Sequence, residues 1–372
     1  MNNKIYVTKP NLPPFEEFSE ILKDIWGSKW LTNDGPYHNK FEQALAEYLG
    51  VKHVCLFTNG TLALITALQA LRITGEVITT PFSFVATTHA LHWNGITPVF
   101  CDIEPDFCNL DAEKIESLIT PKTTAIFPVH IYGNPCNLHK IEKIADTYGL
   151  KVIYDACHAF GVNIKGNSVL NFGDLSVLSF HATKVFTTFE GGAIVCHDEK
   201  MKKRIDFLKN FGFADETVVV GPGINAKMNE FQAALGWLQL KYFKEAVSNR
   251  KDYAAMYRKR LAAIAGIRML PEPLDVEMNY QYFPIFVEQE VFGRSRDEVY
   301  GEFKKNDVYT RRYFYPLISQ FPTYKGLSSA QPGSLPVAEK ITKEVLCLPM
   351  YADLDSDIVN KVCELIVSFG KQ

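Results

Sequence analysis

The chain has no apolar run long enough to span a bilayer, and no apolar core in its opening Met-Asn-Asn-Lys-Ile-Tyr-Val. A membrane-spanning or exported protein is therefore not expected, and the chain is expected in the cytoplasm. Neither sign of charge dominates. Lys and Arg number 39 against 42 Asp and Glu, a net charge of −3, which offers no electrostatic footprint for nucleic acid or an anionic membrane surface. There is no C-x-x-C pair. The eight cysteines are scattered, and Cys55 and Cys101 sit inside apolar runs, so they read as reduced packing residues. His89 and His92 stand three apart with no third ligand near them in sequence, and no metal site is expected. Repeats and low-complexity tracts are also lacking.

What is there is an ordinary globular composition, 47% hydrophobic and 22% charged over 372 residues. That length suffices for two domains with separate cores. An amphipathic helix is expected around Phe18, Ile21, Leu22 and Ile25, and another over 41–49. Strand patterns then recur at 53–57, 76–80, 97–103, 124–129, 150–155, 175–180 and 192–196. Helical patterns separate several of them, at 62–71, 111–118 and 138–148. This rhythm predicts an α/β fold whose mostly parallel sheet is covered on both faces. A long helix from Asn229 to about Ile267 leads out of it. The expected division is a large domain over 1–246 and a small α+β domain over 247–372, with strand 280–287, helix 294–305, a strand and loop over 307–316 and a terminal helix 355–369.

Four features carry chemistry. Lys184 lies between two apolar strands, on a loop closed by Gly191-Gly192. Burial there would disfavour its ammonium form and make the amine a nucleophile; a surface-loop lysine is the plainer alternative. Asp155 ends the apolar run Lys-Val-Ile-Tyr-Asp, where a carboxylate needs a partner; capping of the next segment is the plainer alternative. A strand, then Thr58-Asn-Gly60-Thr61, then a helix is a phosphate site in outline, although Thr58 or Asn59 serving only as an N-cap fits equally. Phe84 follows another strand's carboxyl end, where ligands bind in open α/β sheets. A lysine, an acid for a pyridine nitrogen, an aromatic ring and a phosphate turn together make the inventory of a pyridoxal 5'-phosphate site. Gly221-Pro-Gly223-Ile-Asn-Ala226 imitates a dinucleotide fingerprint, but no second strand follows its helix, so it is set aside.

With these motifs the chain resembles the DegT/DnrJ/EryC1/StrS sugar aminotransferases of the aspartate aminotransferase (fold-type I) superfamily. The resemblance runs through Trp30-Leu-Thr-Asn-Asp-Gly35, Asn59-Gly-Thr61, Thr80-Pro-Phe-Ser-Phe84-Val-Ala-Thr and Asp155-Ala-Cys-His158-Ala. It continues through Ser179-Phe-His-Ala-Thr-Lys184, Glu190-Gly-Gly and Gly223-Ile-Asn225-Ala-Lys-Met-Asn-Glu230-Phe-Gln-Ala-Ala. It implies that Lys184 carries the cofactor covalently and that Asp155 pairs with the pyridine nitrogen. Phe84 would stack on the ring, His158 would lie near its phenolic oxygen, and Gly60, Thr61 and Ser179 would hold the phosphate. Asn225 would reach the partner's phosphate site, which implies a homodimer with shared active sites. Asn59, Cys157, His158 and Lys227 depart from the residues common at those positions in the family.

The implied activity is amino transfer from L-glutamate to a nucleotide-linked keto-sugar. The pattern looks most like enzymes that turn dTDP-4-keto-6-deoxy-D-glucose into dTDP-4-amino-4,6-dideoxy-D-glucose for surface polysaccharide such as O-antigen. A 3-aminotransferase on a dTDP-3-keto-6-deoxyhexose is the alternative. A dehydratase of the same fold would carry His at the lysine position, and a non-catalytic relative would be expected to lack Lys184 or Asp155. The stretches 30–37 and 311–315 are candidate sugar contacts.

Overall fold

A computed structural model describes residues 4–370. Its centre is a seven-stranded sheet in the order His53–Phe57, Gly192–Cys196, Leu175–Ser179, Lys151–Asp155, Thr123–Phe127, Glu76–Thr79, Thr97–Phe100. Only Gly192–Cys196 runs antiparallel to its neighbours; the other pairings are parallel. The fold is that of an α/β protein with a mostly parallel mixed sheet covered by helices.

Side chains alternate between the two faces of each strand. Val54, Leu56, Ile126, Val152, Tyr154, Leu178 and Val195 enter one buried cluster. Cys55, Phe57, Phe127, Ile153, Val177 and Ile194 enter the other. The helices up to residue 261 are, in chain order, α1 (Phe15–Ser28), α2 (Pro36–Leu49), α3 (Gly60–Ala70), α4 (Ala86–Trp93), α5 (Leu138–Tyr148), α6 (Glu199–Lys209) and α7 (Glu230–Leu261). Helices α2, α5 and the first half of α7 cover the first face through Phe41, Leu45, Ile141, Ala233 and Leu238. Helix α3 (Gly60–Ala70) covers the second with Ala63, Leu64, Ala67 and Leu68. Because both faces are covered, these strands read as continuous apolar runs.

A three-stranded antiparallel sheet, Ile267–Met269, Phe283–Val287 and Val345–Leu348, lies in the C-terminal part. Its cluster includes Ile285, Phe303 and Ile366, together with Ala254, Tyr257 and Leu261 from the far end of α7. One helix thus serves two cores, and position 247 falls inside it. Ile5–Tyr6 pairs in parallel with Val308–Tyr309, so the start of the chain packs on this part as well.

Some local expectations differ from the structure. The long helix expected to reach about Ile267 ends at Leu261, and Ile267 opens a strand. Over 111–118 there is only a 3-10 turn, Glu116–Leu118. The Asp111 side chain accepts from the Glu113 N–H at 3.0 Å, closing a turn at the start of this stretch. The strand expected to reach residue 103 stops at Phe100, and Ile103 instead bridges Leu110. Among the described residues no helix is long and apolar enough to cross a membrane.

Candidate active site

The carboxyl ends of the parallel strands open on a cavity of about 660 Å³, a size suited to a small cofactor. Gly60, Thr61, Phe84, Asp155, His158, Ser179 and Lys184 all line it. Asn225 does not. It is exposed, on a segment that bridges Asn210.

The sheet register explains one end of the cavity. Gly192 stands opposite both Phe57 and Ser179, so the end of the lysine loop lies against the Asn59-Gly60 turn. A Cβ on Gly192 would come within 2.8 Å of the Gly60 nitrogen, and one on Gly60 would come within 2.9 Å of the Ser179 Cβ. Only glycine fits at either position. Asn59 caps α3, accepting from the Leu62 N–H at 2.9 Å. The capping and phosphate readings are therefore compatible: the N–H groups of Gly60 and Thr61 have no acceptor within their own helix and remain for an anion. Gln232, the capping-box residue of α7, ties the two loops together by donating to the carbonyls of Thr58 at 3.2 Å and Glu190 at 2.7 Å.

Asp155 is buried in the wall of the cavity. Its Oδ2 accepts from the Thr87 hydroxyl at 2.7 Å, and its Oδ1 accepts from the Cys157 N–H at 3.1 Å. Burial and the Asp155 carboxylate push the Cys157 thiol well up, which leaves it a poor nucleophile. His158 packs face to face on Phe314, 5.8 Å between centroids, and edge-on to Tyr282 at 5.2 Å. Burial, with lesser contributions from Lys184 and His130, holds its pKa well below the usual histidine range, so the ring is neutral. Its Nδ1 is buried and has no partner among the described residues.

The sequence reading expects Lys184 to be buried, but it is half-buried, because its loop opens onto the cavity. That loop is closed by hydrogen bonds from Phe180 N–H to Gly191 O at 2.8 Å and from Lys184 N–H to His181 O at 2.8 Å. His181 at the rim bonds Thr183 through Nδ1 at 2.8 Å and lies 3.5 Å from Glu190 through Nε2. Phe84 lines the cavity and is 58% exposed. Tyr282, Tyr313 and Phe314 complete the wall from the C-terminal part of the chain. Of these, only the stretch around Tyr313 and Phe314 stood out in the sequence. Thr87 was legible as a hydroxyl at the start of a helix behind Phe84, and Tyr282 carried no signal in an apolar run.

A family model for the DegT/DnrJ/EryC1/StrS aminotransferase family matches residues 15–367. The chain belongs to this family. Among its aminotransferase relatives, a protein of Escherichia coli called dTDP-4-amino-4,6-dideoxy-D-glucose transaminase is 54% identical over 99% of this chain and 99% of its own length. A protein of the same name from Shigella dysenteriae is 52% identical over 98% and 99%. Among solved structures, DesI in the presence of its TDP-sugar product superposes with a TM-score of 0.94 at 36% identity, covering 99% of this chain and 94% of that one.

Proposed function

We propose that this aminotransferase moves an amino group from L-glutamate to dTDP-4-keto-6-deoxy-D-glucose, giving dTDP-4-amino-4,6-dideoxy-D-glucose and 2-oxoglutarate, with pyridoxal 5'-phosphate as cofactor. The observation that carries this reading is the convergence of Lys184 and Asp155 on one cavity whose far end is a glycine-lined helix start. Near-full-length identity to two transaminases of that name supports the choice of sugar.

The residues present fit the cofactor. Gly60 and Gly192 let the start of the helix, Ser179 and the end of the lysine loop approach more closely than any Cβ would allow, and the unpartnered Nδ1 of His158 is a buried polar atom in need of a ligand. The Gly60 and Thr61 N–H groups with the Ser179 hydroxyl would hold the phosphate. Asp155, kept in place by Thr87 and Cys157, would bind the ring nitrogen. Phe84 would cover the ring face, and His158 would meet the phenolic oxygen. When bound, the cofactor supplies an electron sink and a carrier for the amino group. Lys184 would attach it and, once displaced by the donor, would take and return the proton at the donor's α-carbon. The aromatic wall of Tyr282, Tyr313 and Phe314 would keep water from that carbon.

Two further parts belong to this proposal. The division into domains at 246/247 would make the cavity a meeting place of both, since Tyr282, Tyr313 and Phe314 lie beyond that point. A homodimer would place Asn225 in a second copy's phosphate site. Supporting it, Phe211, Phe213, Val219 and Val220 beside that segment are exposed apolar side chains, the kind of patch that marks an interface. The product would enter surface polysaccharide, and the enzyme would work in the cytoplasm where nucleotide sugars are made.

The test is the absorbance of the cofactor-loaded protein. Glutamate alone should convert the lysine-bound band to that of the aminated cofactor, and Lys184→Ala should abolish turnover, a loss of about 10³-fold or more. An unchanged spectrum on adding glutamate would overturn transamination from this donor.

A further inference from the structure

Two buried amides lie on the stretch that enters the strand Phe283–Val287, and the chemistry above uses neither. Asn279 and Gln281 are each 1% exposed. The Gln281 Oε1 accepts from the Val185 N–H at 2.7 Å, and its Nε2 donates to the Thr183 carbonyl at 3.1 Å. One side chain therefore holds the peptide groups on both sides of Lys184. Asn279 Nδ2 donates to the carbonyls of His158 at 2.8 Å and Phe160 at 3.0 Å, while its Oδ1 accepts from the Gln281 N–H at 3.0 Å. Tyr282, next in line, packs edge-on against the His158 ring. Gly133, at φ +90°, passes so close that a Cβ there would lie 2.8 Å from the His158 carbonyl and 3.0 Å from the Asn279 Oδ1.

A hydrophobic stretch that needed only to bury itself would use apolar residues here, because amides are costly inside unless bonded. A fully bonded buried network instead rigidifies what it touches. This one touches the backbone of Lys184 and of His158 and joins them through a single hydrogen bond between Asn279 and Gln281. A lysine side chain is long and flexible, so its reach to a reacting carbon depends on how firmly its own backbone is held. Misplacement of a reacting group by about 1 Å costs on the order of a hundredfold in rate.

We propose that Asn279 and Gln281 form a bracket, supplied by the C-terminal part of the chain, that sets Lys184 and His158 relative to each other. Gln281 is the positioning residue for Lys184. The inference rests on the reading of Lys184 as the cofactor-carrying amine.

Gln281→Met keeps length and volume while removing both bonds. Gln281→Glu keeps the acceptor for the Val185 N–H and loses the donor to Thr183. The measurements are the rate of the glutamate-driven absorbance change, the pH midpoint of the bound cofactor's absorbance, and thermal unfolding of the cofactor-free protein. Gln281→Met should slow the rate by about thirtyfold, leave the glutamate KM within about threefold, and move the pH midpoint by at least about half a unit. Gln281→Glu should recover part of both effects. A folded Gln281→Met protein with wild-type rate and midpoint overturns the bracket. So does a rate loss matched by the loss of folded protein while the folded remainder keeps the wild-type midpoint. If Gln281→Met does not fold, Gln281→Glu decides in the same way, against an expected slowing of about fivefold. A wild-type protein that shows no lysine-bound absorbance band on adding pyridoxal 5'-phosphate would instead overturn the reading of Lys184, and the bracket with it.

Discussion

The Thr87 hydroxyl donates to the Asp155 Oδ2 at 2.7 Å, joining the first turn of the helix Ala86–Trp93 to the end of a central strand. Both groups are buried, Thr87 at 1% and Asp155 at 4% exposed. Asp155 therefore owes its orientation to a residue from another element, with the Cys157 N–H fixing its second oxygen.

Thr87→Val preserves shape and removes this donor. Leaving a buried carboxylate oxygen short of a partner should cost about 1–3 kcal/mol of stability. Cofactor affinity should fall by about tenfold, since the acid proposed to face the ring nitrogen is no longer held. Thermal unfolding and a cofactor titration check the two effects. An affinity equal to wild type would separate Asp155's orientation from cofactor binding.

Gly192→Ala tests the close approach at the helix start. The added Cβ would meet backbone atoms of Asn59 and Gly60 at 2.8 Å, and these cannot swing aside as a side-chain tip can. The expected cost is about 1–3 kcal/mol from overpacking, with weakened binding of both the cofactor and free inorganic phosphate. Unchanged phosphate binding, read by competition with the cofactor, would show that this turn does not hold the anion.

Stability should fall on mild acidification. Burial lowers His38 to about 4 and His130 to about 3, and holds His158 well below the ordinary histidine value. In the unfolded chain these rings take up protons as pH drops through about 6.5. The unfolded state then binds more protons than the folded one, so stability is fully present above about pH 6.5 and declines below it. For His38 the loss continues down to its folded value and amounts to about 3 kcal/mol. Denaturant unfolding of the cofactor-free protein at pH 7.5, 6.0 and 5.0 measures the slope, and His38→Leu should reduce it by about one proton.

The parts of this molecule that were legible in sequence are those set by local pattern. The seven central strands show as apolar runs because both faces of the sheet are covered. Asp155 and Lys184 stand out because a charged residue at the end or turn of such a run needs a reason. Gly60 shows through its place between a strand and a helix. What escaped depends on crossings between distant elements. Gln281 looks like an incidental polar residue in Asn-Tyr-Gln-Tyr-Phe-Pro, and its meaning appears only where that stretch crosses the lysine loop. The expected helix over 111–118 is realised only as the 3-10 turn Glu116–Leu118. The burial expected of Lys184 failed because a loop between two buried strands can still face a cavity.

The most direct test of the account is the product formed from L-glutamate, dTDP-4-keto-6-deoxy-D-glucose and the cofactor-loaded enzyme, examined by mass spectrometry and NMR. The expected product is dTDP-4-amino-4,6-dideoxy-D-glucose, with nitrogen on carbon 4 and one 2-oxoglutarate released per amine formed. An unchanged sugar, or an amine on carbon 3, would contradict it.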